Sequence, residues 1–520
     1  MITANLTAAL VAANGGADEN SLAVRVISIY ESDPLFEFYH TASSISSAGA
    51  QEVNADTVFR IGSISKLFTV YTLLLRGGFD IFEDPVTKYV PELRQIADCH
   101  DFNPLEDVDW KDITVGALAS QLSGILRDYN HADLATQGLP IEAIGLPPLP
   151  PGDIPKCDGN ETQPTCSRQE FFQGLPKQPP VFPVWATPAY SNSNFRILSY
   201  VVEAMTKTDF GATVENEVLQ PLGLSNTYTL KPTDSLGIIP DGDSSWGQDV
   251  GQDLPTAGFY SSVKDLCNLG RAILGASQLT MAESRRWLKP LSHTASLLKS
   301  IGMPWEIFRQ PTTDHVVDFY TKGGGLGAYN SIVVLIPDYD VIFSVLTAGP
   351  DIYLVSNAAE IVRQNIMPVL DAAAREQAKS QYVGDYCVSS HGNITDHMTL
   401  SIDQGPGILI ENWISSGQDL LAAASNYAVS TGSGPLQTLR IYPTGLETPG
   451  KVAFRAAFNT SDPSPSDANG IFSPGVDAWG DVDSLVYGQK PTDLFLFQVD
   501  SHGIAQTIEC SALRKELPRC

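Results

Sequence analysis

No stretch of this chain approaches the roughly 18 consecutive apolar residues a helix needs to cross a bilayer, so no membrane span is expected. The opening MITANLTAALVAANGG lacks the basic n-region and apolar h-region of a signal peptide. Basic residues are scarce: 32 Lys and Arg stand against 59 Asp and Glu, a formal charge of −27. That surplus repels phosphate backbones and anionic headgroups, which argues against nucleic acid and against membranes as partners. His-Glu-x-x-His is missing and the cysteines are not at zinc-finger spacing, so no metal and no cofactor is expected. There is no Gly-x-Ser-x-Gly elbow to announce a Ser-His-Asp triad, and the eight histidines lie scattered. Internal repeats and low-complexity runs are lacking as well.

What is present is ordinary globular composition, 43% hydrophobic and 18% charged, over 520 residues. That exceeds what one hydrophobic core usually fills, so two domains are expected. Four Asn-x-Ser/Thr sequons (Asn5, Asn160, Asn393, Asn459) and seven cysteines fit an exported protein. On that reading a signal peptide has been removed from this chain and Met1 is an added start residue. The alternative is a cytosolic enzyme with seven reduced thiols. Cys157 and Cys166 lie in a polar, Pro-rich stretch and read as a short-loop disulfide. Cys387 and Cys510 bracket the C-terminal segment and read as a second.

Along the chain, residues 3–14 have a short helical pattern, and LAVRVISIY (22–30) with FEFYHTA (36–42) reads as a hairpin. TVFRIG (57–62) is a short strand, after which SISKLFTVYTLLLRGG runs apolar at helical spacing from Ser63 to Gly77 and Gly78. Residues 80–250 are mostly short helices and loops, including patterns at 112–125 and 194–208, with a Pro-rich stretch at 146–183. Strands return at 331–337 and 341–349, followed by a helical pattern at 353–379. Strands at both ends of a helical middle predict one α/β sandwich, residues 1–378, with an all-helical subdomain inserted at about 80–250. Beyond it, residues 379–520 alternate in short runs (397–403, 407–414, 436–443, 493–500) and predict a small all-β sandwich or barrel.

Ser-x-x-Lys occurs at Ser63, Ser261 and Ser296, and context separates the three. Ser63 opens a helix straight after a strand, where the positive helix end serves an alkoxide-like oxygen. Lys66 follows one turn on, on the same face, and its amine can reach the hydroxyl. Ser261 or Ser262 is better explained as an N-cap with Asp265 in the first turn, and Ser296 has no preceding strand. A serine needs a base at neutral pH, and a desolvated lysine near a second cation can supply one.

FRIGSISKLFT, PAYSNSNF (188–195) and YTKGGGLGAYNS (320–331) together resemble the three motif blocks of the serine β-lactamase and penicillin-binding protein superfamily, in the same order. Tyr190-Ser191-Asn192 and Lys322-Gly323-Gly324 are each unique in the chain. DPVTKYVPE, ITVGALASQLSGI, LQPLGLSNT and AGFYSSVKDL resemble the class C and esterase branch, and in particular fungal secreted β-lactamase-like proteins, which also carry a β-rich tail. The resemblance spans residues 3–375 well and the tail loosely. It implies a β-lactamase/transpeptidase sandwich acting on a small molecule with an acyl group. Ser63 would be the acyl acceptor, Lys66 and Tyr190 a proton-shuttling pair, and Asn192 a donor orienting Lys66 or the substrate carbonyl. Lys322 would raise the positive potential, and the N–H groups of Ser63 and Gly325, beside Gly324, would form the oxyanion hole.

One departure bears on substrate. The family usually has Thr or Ser between Lys and Gly of the third motif, gripping the substrate carboxylate; here that residue is Gly323. Losing a hydrogen bond to a charged group costs about 1.5–3 kcal/mol. Penicillin hydrolysis is therefore disfavoured relative to an ester, lactone or amide. An acyltransferase using the same acyl-enzyme, or a silent binding protein, are the alternative functions. The 146–183 stretch is expected to form a semi-rigid wall or lid over the Ser63 cleft.

Overall fold

The computed structural model of this chain describes residues 2–14, 18–98, 102–129, 133–157, 164–311, 315–390, 393–460 and 478–520. The sequon at Asn160 and Cys99 lie outside them. The chain divides into two compact units: residues 1–311 with 316–365, and 366–520 with 312–315.

The first unit is built on an eight-stranded antiparallel sheet. Its strands are β1 (Ser21–Ser28), β2 (Phe36–His40), β5 (Ser292–His293), β6 (Lys299–Ile301), β7 (Glu306–Pro311), β8 (Val316–Leu326), β9 (Tyr329–Ile336) and β10 (Val341–Ala348). A separate pair, β3 (Val58–Arg60) and β4 (Tyr260–Ser262), completes the numbering. The order across the sheet is β2-β1-β10-β9-β8-β7-β6-β5. The expected hairpin is there, with Val24 opposite Phe38. So is the later one, with Ile332 opposite Val345. Strands from the two ends of the unit lie side by side, since Ser21 pairs with Ala348. Every residue of β10 is buried, the mark of a strand covered on both faces.

The helices used below are α1 (Ile2–Ala13), α2 (Ser65–Gly77), α3 (Val115–Ala119), α4 (Asn192–Thr206), α5 (Leu254–Ala257), α6 (Val263–Leu274), α7 (Leu354–Tyr382) and α8 (Leu420–Ser430). α6 lies against β1, β9 and β10. Its Gly270 lets it approach: a Cβ there would stand 2.7 Å from Ile342 Cγ2. Ser262 caps α6 by accepting from Asp265 N–H, so the Ser261 motif is a cap, as expected. The pattern at 112–125 gives a helix only over α3. Thr114 caps it, but Gln121 and Gly124 take φ of 63° and 68°, and a left-handed residue ends an α-helix.

The second unit is a nine-stranded antiparallel sheet running from Gly384–Ser390 to Lys515–Pro518. Its two edges meet through the Tyr386–Arg519 bridge and a 2.9 Å hydrogen bond from Cys520 N–H to Asp385 C=O. Of the sandwich and barrel anticipated, closure makes it a barrel. Met398, Ile410, Trp413, Ile441, Phe454, Phe495, Phe497 and Ile508 fill it. α8 interrupts the strands and had no counterpart in the sequence reading. None of its residues is fully buried, so its helical stripe is faint; Asp419 starts it by accepting from Leu421 and Ala422 N–H.

Cys157 and Cys166 are bonded as expected. Cys387 pairs with Cys520, correcting the expected Cys387–Cys510 bridge. Barrel closure brings the last strand beside the first, while Cys510 sits opposite Phe495 with its thiol buried and reduced. Among the described residues no helix is long and apolar enough to cross a membrane. The Cys387–Cys520 bridge closes a segment of 133 residues at the barrel seam. Replacing both cysteines by serine should lower the barrel's unfolding free energy by about 2–4 kcal/mol in a denaturant titration. An unchanged midpoint would show that the seam holds without it.

Candidate active site

The site starts from a turn that cannot relax. Between β3 and α2, residues Gly62–Ile64 form a single 3-10 turn, so α2 begins two residues later than Ser63. Gly62 has φ +48°, and a Cβ on it would collide with the backbone N of Gly325 on β8. The buried Ser65 hydroxyl donates to Gly62 O (2.7 Å) and accepts from Phe259 N–H (3.1 Å). Ser331 Oγ of β9 donates to Ile61 O (2.8 Å). The turn is thus pinned from both sides, with Ser63 as its partly exposed member.

Lys66, in the first turn of α2, is fully buried. Its Nζ lies 3.0 Å from Ser63 Oγ, 2.6 Å from Asn192 Oδ1 and 2.8 Å from Thr256 O on α5. The last two oxygens only accept, so they consume two N–H groups. The third position faces Ser63, whose hydroxyl can accept from an ammonium or donate to a neutral amine. Burial pushes the Lys66 ammonium below its usual range; Tyr190 opposes that shift and Lys322 adds to it.

Tyr190 Oη lies 2.7 Å from Ser63 Oγ. Its loop is set by the turn after α3: Gln121 Oε1 accepts from Ser191 N–H (2.8 Å) and Asn194 Nδ2 (3.0 Å). Ser191 then caps α4 by accepting from Asn194 N–H. Burial pushes the Tyr190 phenol up, but Lys66 and Lys322, with hydrogen bonds from Lys66 and Ser63, outweigh it and hold it below the usual tyrosine range. Three cationic groups surround the ring: Arg127 at 4.8 Å from its centroid, Lys66 at 5.0 Å and Lys322 at 5.5 Å.

Asn192 differs from expectation in one respect. Toward Lys66 its amide accepts rather than donates, because it is Oδ1 that faces Nζ, at 2.6 Å. Its Nδ2 donates instead to Asp128 Oδ1 (2.7 Å). Lys322 on β8 donates to Glu306 Oε1 (3.0 Å) and Gly323 O (2.7 Å). Gly324 lies against the Ser63 turn and Gly325 is exposed beside it. Ser63, Lys66, Tyr190, Asn192, Lys322, Gly324 and Gly325 therefore converge. The end of the Pro-rich stretch is tied to the loop after α3, with Val181 N–H donating to Gly124 O (2.8 Å), and the residues just beyond it likewise, with Trp185 N–H donating to Leu122 O (2.7 Å). Leu146 to Leu149 and Ile154 of the stretch line an apolar groove of about 910 Å³ together with residues 133–135 and 139–143.

Sequence reasoning missed Thr256, Asp128, Arg127 and Glu306. Thr256 acts through its backbone and leaves no residue-type signal. Arg127 and Asp128 end the apolar run LSGIL, and Glu306 sits alone in the apolar run MPWEIF; both placements are signals that could have been read.

A family model described as "Beta-lactamase" matches residues 37–361. The chain belongs to the β-lactamase family. A second model, "Beta-lactamase-like-like, C-terminal domain", matches residues 374–520 of this β-lactamase-like chain. A "Beta-lactamase-like protein" of Arthroderma benhamiae is 31% identical over 92% of the chain and 84% of that protein. A "Probable hydrolase" of Phoma sp. is 30% identical over 82% and 71%. Among solved structures, the D-stereospecific amidohydrolase from Streptomyces sp. shares the fold at a TM-score of 0.52 and 19% identity, over 70% of this chain and 99% of that one. The octameric penicillin-binding protein homologue from Pyrococcus abyssi does so at 0.51 and 16%, over 99% and 100%.

A Cβ on Gly324 would stand 2.7 Å from Ser63 N and closer still to Ile61 O, whereas one on Gly325 first meets Asn330 Oδ1 at 3.1 Å. Gly324→Ala should therefore cost at least about 1 kcal/mol more stability than Gly325→Ala. Equal losses in chemical denaturation would show that β8 yields freely around the turn.

Proposed function

We propose that this β-lactamase-like chain is a serine hydrolase that forms an acyl-enzyme on Ser63 from an ester, lactone or amide. The observation carrying the reading is the Ser63 hydroxyl flanked by a desolvated amine at 3.0 Å and a phenol at 2.7 Å. A relative named as a probable hydrolase supports the same class of reaction.

In the proposed chemistry, the Lys66 and Tyr190 pair accepts the Ser63 proton as Oγ forms a bond to the acyl carbon. Both groups titrate below their usual ranges, so a basic form of the pair is present nearer neutrality than either free side chain would allow. The carbonyl oxygen, becoming negative, would be met by the N–H groups of Ser63 and Gly325. The shuttled proton then goes to the leaving oxygen or nitrogen as its bond to carbon breaks. Water attacks the acyl-enzyme in a second step, giving its proton to the same pair and restoring Ser63. An alcohol in the place of that water would give acyl transfer. The two disulfides support export as the protein's destination.

A fluorophosphonate probe should add one adduct by intact mass, lost in Ser63→Ala; an unmodified wild-type chain would exclude a working nucleophile. The proton-accepting form is the deprotonated one, and both pKa values are lowered. The kcat/KM profile should therefore rise with pH through an apparent pKa below the 10.0 and 10.5 of the free side chains. Tyr190→Phe should reduce the acylation rate by about 10²–10⁴-fold. Acylation at the wild-type rate in that variant would remove Tyr190 from the pair.

A further inference from the structure

Lys322 does not meet the cleft as a bare cation. β7 and β8 pair so that Glu306 stands opposite Thr321, one residue from Lys322. From there Glu306 Oε1 takes a hydrogen bond from Lys322 Nζ at 3.0 Å, and Oε2 accepts from Gly323 N–H at 3.4 Å. Lys322 gives a further hydrogen to Gly323 O. The Lys322 side chain is 3% exposed and that of Glu306 27% exposed, so Glu306 is the member of the pair nearer the surface. Burial would raise the Glu306 acid, but Lys322 and, more weakly, Lys299 and the Gly323 N–H hold it below the usual carboxylate range. The carboxylate is therefore ionised at neutral pH.

Gly323 leaves that carboxylate uncovered. A Cβ at this position would find Glu306 Oε2 at 3.8 Å, ordinary contact distance, so the space beside the carboxylate holds no side chain of residue 323. The third motif thus differs from a cationic anion grip in two linked ways: it has no hydroxyl, and its lysine already holds an internal carboxylate. An anionic group approaching Lys322 would meet a pair of net charge near zero whose outer member repels it.

We propose that Glu306 is a specificity determinant of the Ser63 site, excluding substrates that carry a carboxylate near the scissile bond and selecting electroneutral acyl compounds. This rests on the hydrolase reading above, and names the substrate class that reading leaves open. Glu306 acts on the charge presented by Lys322, and it takes no part in the proton transfers at Ser63.

The test uses two ester pairs, each an uncharged ester and its carboxylate analogue. The charge lies on the acyl side in 4-nitrophenyl valerate against mono-4-nitrophenyl glutarate, and on the leaving-group side in phenyl acetate against 3-carboxyphenyl acetate. Wild-type enzyme should favour the uncharged ester in kcat/KM in at least one pair. Glu306→Gln should narrow that preference about tenfold, mainly through KM of the anionic ester. Fluorophosphonate stoichiometry checks that the variant still folds around Ser63. Independently of any variant, the wild-type preference should shrink as ionic strength rises, because repulsion at a partly exposed carboxylate is screened. Loss of the fluorophosphonate adduct in wild type would overturn the hydrolase reading and this proposal with it. An intact adduct with preferences unmoved by Glu306→Gln, whatever their salt dependence, would overturn this proposal alone.

Discussion

Lys66 is fully buried, yet its Nζ has an oxygen for each hydrogen: Asn192 Oδ1, Thr256 O and Ser63 Oγ. Withdrawing an ammonium from water is costly unless it is paired or loses its proton, and those three partners are uncharged, which leaves the Tyr190 phenol and, more weakly, Asp128 to offset its charge. On the proposed reading, the burial that lowers its pKa would also let the amine share the Ser63 proton. Three separate elements converge to satisfy it. α2 carries the lysine, α4 begins with Asn192, and α5 turns a backbone carbonyl inward. Two of them are themselves fixed, α4 by the Ser191 cap and by Gln121, and α2 by the pinned turn at Gly62.

Tyr190 links this amine to the second cation. Its phenol would be harder to ionise in a buried setting, and the two lysines reverse that direction. A single lysine would have to neutralise the phenol and also compete with its own desolvation. Dividing the charge between Lys66, which touches the serine, and Lys322, which only faces the ring, keeps the serine's neighbour free to titrate. Glu306 pairs with Lys322 at 3.0 Å, while the same ammonium lies 5.5 Å from the centre of the Tyr190 ring. On the proposed reading, the same ion pair would bear on both proton transfer and the charge a substrate can bring.

Much of this was legible before any coordinates. The strand hairpins at the two ends of the first unit follow from β-branched runs bounded by turns, and α4 and α7 from apolar spacing at 3.6 residues. Local patterns were weaker where a side chain's partner is distant in sequence. The 112–125 pattern looks helical throughout, but Gln121 leaves the helix to hold Ser191 and Asn194, seventy residues away. α8 was invisible because it buries no complete face. Cys387 could not be matched to Cys520 from spacing, since only barrel closure brings the last strand to the first.

Residue types and their spacing carried the family and the candidate side chains: a serine and lysine one helical turn apart, a unique Tyr-x-Asn, a unique Lys-x-Gly and a glycine where a hydroxyl is usual. Such features are short-range, set by residue type and by the geometry of a single turn or strand. Tertiary structure alone decided how those groups are charged and which partners they keep. Thr256 contributes only a backbone carbonyl, Asp128 reaches Asn192 across 64 residues, and Glu306 reaches Lys322 from a neighbouring strand. Hydrogen bonds and ion pairs depend on distances of about 3 Å between atoms far apart along the chain, and no one-dimensional pattern records them.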